Sequence, residues 1–98
     1  MPRYQKVLWE HEFPDEPVIL YSEVADFGIE TRKVEVFRDG HSQFADSLRS
    51  TGDTLLSEGP LPSVEEIEDQ PEFSLSEIEQ EEFEQVWQVA TGESGDVG

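Results

Sequence analysis

The sequence predicts an α+β fold: a four-stranded antiparallel β-meander with one short and one longer C-terminal helix packed on one face. Two observations favour this fold. Apolar and polar residues alternate with a period of two through about the first 46 residues. The second half carries the Ser-x-x-Glu spacing that is typical of helix N-termini. Ninety-eight residues suffice for one domain, which we expect to span residues 1–92 and to end in a flexible tail at residues 93–98.

Four segments alternate in the manner of β-strands, and turn residues separate them. The segments are Tyr4–Phe13, Val18–Val24, Ile29–Arg38 and Ser42–Ala45. Apolar residues on both faces of the second segment indicate a central position in the sheet. The two prolines of Phe13–Pro17 indicate a turn, because proline cannot occupy a central strand. The chain turns again at Ala25–Gly28.

The dipeptide Asp39-Gly40 is the strongest local signal in the chain. It suits a two-residue type I′ turn, in which both residues have positive φ. A turn of this type would pair Val36 with Gln43 across the hairpin and would leave only a short fourth strand.

A connector rich in Ser, Thr, Gly and Pro follows the predicted sheet at Ser47–Pro62. We expect Leu55 and Leu56 to hold it against the core. The first helix begins at its end, where Ser63 and Glu66 have the spacing of a capping box.

The second helix is the longer one. Pro71 ends the first helix, because proline inside a helix removes a hydrogen bond and clashes with the preceding turn. Ser74 or Ser76 then repeats the capping spacing, and the helix should run to about Ala90, with Gly92 ending it. Its predicted docking face consists of Ile78, Phe83, Val86, Trp87 and Ala90.

Charge divides the chain into two unequal halves. All six basic residues lie in the first 49 positions, where ten acids leave a net charge of −4. Residues 50–98 contain fourteen acids and no Lys or Arg, and so hold −14 of the total of −18. Such a field repels nucleic acid and anionic membranes and attracts basic proteins. Exposed helices usually carry charges of both signs, because Glu–Lys pairs stabilise them, so the absence of cations here favours a functional role for the acids. The competing interpretation is that the acids form a solvated face that only keeps the protein soluble.

Several classes of protein are disfavoured by what the chain lacks. It contains no cysteine, which excludes disulfide scaffolds, thiolate zinc sites and cysteine nucleophiles. No signal-peptide apolar core and no run of ~18 apolar residues is present, so we expect a cytoplasmic protein without a membrane partner. Neither a nucleophile elbow nor a Gly-rich phosphate loop occurs, so we expect no enzymatic activity and no cofactor.

The histidines and the basic cluster offer other chemistry. His11 and His41 lie on different predicted strands and could meet to hold a divalent ion, although isolated histidines are usually solvated strand residues. Arg32 and Arg38 lie on the same face of the predicted third strand. We interpret them as a clamp on the protein's own carboxylates rather than as a nucleic-acid contact. The two tryptophans, Trp9 and Trp87, are interpreted as packing residues.

Several motifs occur together in an order that resembles a known family. They are Phe13–Pro17, Leu20–Glu23, Arg32–Gly40, Leu61–Ile67 and Glu81–Trp87. They resemble the small acidic bacterial proteins of domain-of-unknown-function family 6881, over about residues 3–90. The Gly-rich tail departs from the pattern. The resemblance implies a compact α+β domain and supplies no activity and no catalytic residue.

The expected function is binding of a basic protein partner, such as a nuclease or a nucleic-acid-binding protein. Such a protein would neutralise or escort its partner, as an immunity protein does against a nuclease toxin, or would inhibit a host defence system as a nucleic-acid mimic. The candidate contact residues are Glu65, Glu66, Glu77, Glu81 and Glu84, of which the last three should share the outer face of the long helix. The alternatives are a small metal-dependent enzyme and a housekeeping module with incidental acidity. The oligomeric state stays open.

Overall fold

The computed structural model describes residues 2–52, 54–57 and 59–92, so the predicted tail at residues 93–98 lies outside the described residues. The fold is α+β, with one antiparallel sheet in the order β4-β3-β2-β1-β5. The elements are β1 (Arg3–Trp9), β2 (Ile19–Val24), β3 (Glu30–Val36), β4 (Ser42–Ala45), α1 (Val64–Glu68), β5 (Phe73–Ile78) and α2 (Gln80–Thr91). A 3₁₀ turn at Asp26–Gly28 joins β2 to β3. The second strand is central, as its apolar residues on both faces predict.

The sheet has five strands, and the prediction of four was wrong. Residues 73–78, predicted as the start of the long helix, form β5 and pair antiparallel with β1, from Trp9 opposite Phe73 to Tyr4 opposite Ile78. Alternation of Phe73 and Leu75 with serines suits a strand, and β5 satisfies backbone groups that β1 would otherwise leave unpaired. The long helix therefore begins only at Gln80.

The hairpin between β3 and β4 also differs from the predicted one. Val36 pairs with Ser42 rather than with Gln43, and the backbone N–H of Phe37 donates to the carbonyl of His41 at 2.9 Å. The loop is therefore three residues long. Within the described residues of the loop only Gly40 has positive φ (95°), which excludes a type I′ turn and matches a loop that ends in a left-handed glycine.

An aromatic cluster between the sheet and α2 forms the main core. It consists of Tyr4, Tyr21, Val34, Phe44, Phe83 and Trp87. The rings of Phe44 and Trp87 meet edge to face at 5.3 Å, and those of Tyr4 and Phe83 lie 5.3 Å apart. The helix ends at Gly92 (φ 76°), as predicted. The predicted core role of Trp87 is confirmed.

The opposite face of the sheet is covered by the connector rather than by α2. The hydroxyl of Thr54, only 1% exposed, donates to Glu35 at 2.6 Å. The backbone N–H of Ser57 donates to the buried carboxylate of Glu30 at 3.0 Å. Polar contacts therefore hold the connector in place.

The prediction that Leu55 and Leu56 hold the connector against the core was wrong for Leu55, while Leu56 is half-buried. The side chain of Leu55 is 68% exposed, while its carbonyl accepts a hydrogen bond from the Lys33 ammonium at 3.0 Å. The prediction that both helices pack on one core also needs correction. Helix α1 contacts β5 and buries Ile67, which is not part of the aromatic cluster. Both faces of the sheet carry buried side chains, so both need a covering layer.

Candidate partner-binding surface

Nine exposed carboxylates lie on β5 and on the segments that flank it in the chain. They are Glu65, Glu66, Glu68, Asp69, Glu72, Glu77, Glu79, Glu81 and Glu82, and we call this set the acidic edge. The stretch from residue 65 to residue 82 contains no Lys or Arg. Within the described part of the chain, no salt bridge joins any of the nine to a basic side chain. The acidic edge is therefore a surface of uncompensated negative charge.

The structure places four of the five predicted contact residues on the acidic edge. Glu65 and Glu66 lie in the first turn of α1, and Glu81 lies in the first turn of α2. Glu77 lies on β5 and not on the long helix, so the predicted helical face of Glu77, Glu81 and Glu84 does not exist. The Ser-x-x-Glu spacing misled the prediction, because the same residues also satisfy the alternation of a strand.

The capping box at the start of α1 is confirmed. The Ser63 hydroxyl accepts the backbone N–H of Glu66 at 3.2 Å, and the Glu66 carboxylate accepts the backbone N–H of Ser63 at 3.1 Å. This reciprocal pair satisfies two donors that a helix start leaves open. Glu66 therefore already has a structural role, whereas its neighbour Glu65 projects from the first turn as an exposed carboxylate.

Glu84 must be removed from the candidate surface. Its carboxylate oxygens lie 3.1 Å and 2.6 Å from the Arg32 guanidinium, which also binds Glu23 at 2.9 Å and 2.6 Å. Hydrogen bonds from Arg32 hold the pKa of Glu84 below its ordinary value of 4.5, against the opposing effect of partial burial. The pKa of Glu23 is lowered chiefly by the same guanidinium.

The aromatic cluster also supports this arginine. The guanidinium carbon of Arg32 lies 4.9 Å from the ring centre of Phe83 and 5.1 Å from that of Trp87. Its carboxylate partners raise the pKa of Arg32, so the cation is permanent. The predicted clamp on the protein's own carboxylates is confirmed for Arg32, whereas Arg38 donates to the backbone carbonyl of His11.

The two histidines make separate local contacts and do not form a shared site. His11 accepts the backbone N–H of Phe13 at Nδ1 (2.9 Å), so its Nε2 carries the proton and donates to the carbonyl of Pro17 (2.7 Å). His41 stacks on Phe37 at 4.4 Å and contacts Asp39 through Nδ1. Among the described residues, no three His, Asp or Glu side chains are placed to hold a metal ion.

A cavity of about 600 Å³ beside the β3–β4 hairpin was not predicted from the sequence. Its ionisable lining comprises Asp15, Glu16, Glu35, Asp39, Arg38 and His41. The excess of carboxylates suits a cationic or polar group. The cavity depends on two turns distant in sequence, and no local pattern indicates it.

Comparison with known proteins identifies a family and no individual relative. No curated protein and no solved structure matches the chain. Among the described residues, neither helix has the length and apolarity needed to cross a membrane. A family model described as a domain of unknown function (DUF6881) matches residues 3–92, which is most of the chain. The chain therefore belongs to the DUF6881 family.

Proposed function

We propose that this protein is a binding module that neutralises or escorts a basic protein through its acidic edge. One observation carries the proposal: nine exposed carboxylates lie on β5 and on the segments that flank it in the chain, and the stretch that holds them has no cation. A basic partner would offset the mutual repulsion of these charges. It would also associate rapidly, because a field of one sign steers an oppositely charged protein toward it.

The protein's own cations are engaged elsewhere, which supports the proposal. Arg32 binds Glu23 and Glu84, Lys33 contacts Glu30 at 3.6 Å, and Arg38 donates to the carbonyl of His11. The other three contact Gln5, the ring of Tyr21 and Asp46: Arg3, Lys6 and Arg49. None of these contacts involves a residue of the acidic edge, so its charge is available to a second molecule.

The partner that suits this surface is a protein whose own Lys and Arg side chains hold phosphates. An immunity protein against a nuclease toxin and a nucleic-acid mimic that inhibits a defence system both fit, because each presents carboxylates where a nucleic acid would present phosphates. Nucleic acid and anionic membranes are not suitable partners, since the acidic edge repels both. Binding, and not catalysis, is the role that we propose.

Charge reversal with a matched control tests the proposal. The variant carries Glu65→Lys, Glu77→Lys and Glu81→Lys, and the control carries the same change at exposed acids outside the acidic edge: Glu12→Lys, Asp15→Lys and Glu16→Lys. Partners captured from a cell lysate are identified by mass spectrometry at low and high salt, and melting temperatures establish that both variants fold.

The expected result is a basic protein that the wild type and the control capture at low salt and that the acidic-edge variant loses. High salt should release it, because exposed charges are screened beyond ~8 Å at physiological ionic strength. Capture that is equally strong in both salts, or that survives charge reversal, would overturn the proposal. Loss in the control alone would move the binding site to the cavity beside the β3–β4 hairpin.

A further inference from the structure

The two edge strands of the sheet, β4 and β5, differ in the hydrogen bonding of their outward-facing backbone groups. At one edge, the outward backbone groups of Phe44 in β4 are occupied: the N–H of Thr51 donates to the carbonyl of Phe44 at 2.9 Å, and the N–H of Phe44 donates to the Thr51 hydroxyl at 2.9 Å. A bridge between Ala45 and Ser50 extends this cover. At the other edge, β5 pairs with β1 on one side only, and helix α1 contacts it without strand pairing.

The hydrogen-bond register identifies which groups of β5 point outward. The N–H of Glu10 donates to the carbonyl of Glu72 at 2.8 Å, so Glu72 faces β1. Backbone groups in an antiparallel ladder alternate in direction. Ser74 and Ser76 therefore also face β1, while the N–H and C=O groups of Leu75 and Glu77 face away from the sheet.

Apart from the N–H of Phe73, these outward groups have no backbone partner among the described residues. The N–H of Phe73 donates to the carbonyl of Gln70 at 3.0 Å. For Leu75 and Glu77, no backbone hydrogen bond beyond the sheet is formed with any residue in the described ranges. An unpaired strand edge is a template for another strand.

We propose that a basic, extended segment of the partner protein adds to β5 as a sixth strand. This inference rests on the proposed function and names the way in which the acidic edge would hold its partner. Carboxylates lie at both ends of β5 and on it, at Glu72, Glu77 and Glu79, so an incoming strand meets negative charge along its length. A second copy would bring the same carboxylates against each other, which disfavours pairing between identical chains.

The side chains of β5 specify the pattern of the incoming strand. Residues directly opposite each other in a strand pair have Cβ atoms about 5 Å apart. An apolar residue should therefore lie opposite the half-buried Leu75, and a Lys or Arg two positions away should lie opposite Glu77. The serines at positions 74 and 76 face the other side and tolerate small polar neighbours.

Three versions of one synthetic peptide, Lys-Thr-Val-Thr-Lys-Thr-Lys, test strand addition on the intact protein. The first is unmodified, the second is N-methylated at the Val and Lys amides that would face β5, and the third is N-methylated at the Thr amides that would face solvent. All three have the same charge. Binding is measured by titration calorimetry at low salt, and amide hydrogen exchange is followed at Leu75 and Glu77.

A pair of protein variants supplies the complementary test. Glu77→Gln and Glu77→Pro remove the same charge, but only proline removes the outward N–H. An edge strand tolerates proline where the N–H faces solvent, and the N–H groups of Ser76 and Ile78 still reach β1. The melting temperatures of the two variants are compared. The three peptides are tested on the wild-type protein, so that result does not depend on the stability of the proline variant.

Strand addition predicts that the unmodified and Thr-methylated peptides bind alike and that the Val/Lys-methylated peptide binds about tenfold more weakly. Bound peptide should protect the amides of Leu75 and Glu77 from hydrogen exchange. The unmodified peptide should bind the Glu77→Pro variant about tenfold more weakly than the Glu77→Gln variant. Equal, salt-sensitive binding of all three peptides would overturn strand addition while leaving the acidic edge as the binding surface. Absence of binding by any peptide, together with no salt-sensitive partner in a lysate, would overturn both proposals. Concentration-dependent self-association that Glu77→Pro abolishes would show that the occupant is a second copy.

Discussion

Arg32 on β3 and Glu84 on α2 lie 52 residues apart in sequence and are joined by two hydrogen bonds, of 2.6 Å and 3.1 Å. The same guanidinium binds Glu23 on β2 and lies against the rings of Phe83 and Trp87. One cation therefore links two strands to the long helix at the margin of the aromatic cluster. Its carboxylate partners, Glu23 and Glu84, stabilise the fold and are not part of the acidic edge.

Replacing Arg32 should destabilise the protein. The Arg32→Gln variant leaves Glu23 and Glu84 close together without their cation and removes contact with two rings, so we expect a loss of about 1–3 kcal/mol in the free energy of unfolding. Urea denaturation measures it. Arg49→Gln removes a more exposed cation, which pairs with Asp46 at 3.7 Å and lies 5.1 Å from the ring centre of Phe44, and should cost less, about 1 kcal/mol. Equal losses in the two variants would contradict the special role of Arg32.

Stability should fall in acid because of the same cluster. The folded-state pKa values of Glu23 and Glu84 are lowered below the ordinary value of 4.5. Groups with lowered pKa stabilise the fold above their unfolded pKa, and this contribution disappears as the pH falls through the folded pKa. The contribution is therefore complete at neutral pH and is lost progressively below about pH 4.5. Denaturation across this range should show a weaker pH dependence in Arg32→Gln than in the wild type; identical slopes would exclude the cluster as its source.

The capping box of α1 can be tested against a sequence that only imitates one. Ser63→Ala removes the hydroxyl that accepts the Glu66 N–H, and should cost about 1 kcal/mol of unfolding free energy. Ser74 has similar spacing to Glu77 but lies exposed in β5 and caps no helix. Ser74→Ala should therefore change stability by less than about 0.5 kcal/mol. Thermal denaturation measures the stability of both variants. A greater loss of stability in Ser74→Ala than in Ser63→Ala would contradict the assignment of residues 73–78 to a strand.

Substitution of the hairpin glycine, Gly40, should lower the stability of the protein because of its backbone conformation and not because of a steric clash. Gly40 has φ of 95°, and no neighbouring atom lies within 4 Å of the place that a β-carbon would occupy. Gly40→Val therefore meets no clash beyond its own backbone, and we expect it to lose about 1–3 kcal/mol of unfolding free energy from the strained left-handed conformation. Gly59 has equal space without a positive φ, so Gly59→Val is the control and should be nearly neutral. A neutral Gly40→Val would show that the loop conformation differs.

Part of the acidic edge could be predicted from the sequence. Charge counting alone locates the anionic half of the chain, and four of the five predicted residues lie on the acidic edge because glutamates without a cationic partner remain at the surface. The pairing of Glu84 with Arg32 could not be predicted, because the two residues meet only after the sheet and α2 have packed. The cavity beside the β3–β4 hairpin escaped prediction for the same reason, since it joins residues 14–17 to a later hairpin.

Local chemistry let the sequence determine the four strands of the meander, the capping box at Ser63 and the helix end at Gly92, because each depends on residues a few positions apart. The tertiary structure alone decided the state of residues 73–78. Their spacing suits both a capped helix and a strand, and the difference lies in β1, about 70 residues earlier, whose free backbone groups are satisfied only by a strand beside it. That pairing turns a predicted helical face into a sheet edge with open hydrogen-bonding groups. Long-range backbone pairing, which no local pattern encodes, therefore created the surface on which the proposed function depends.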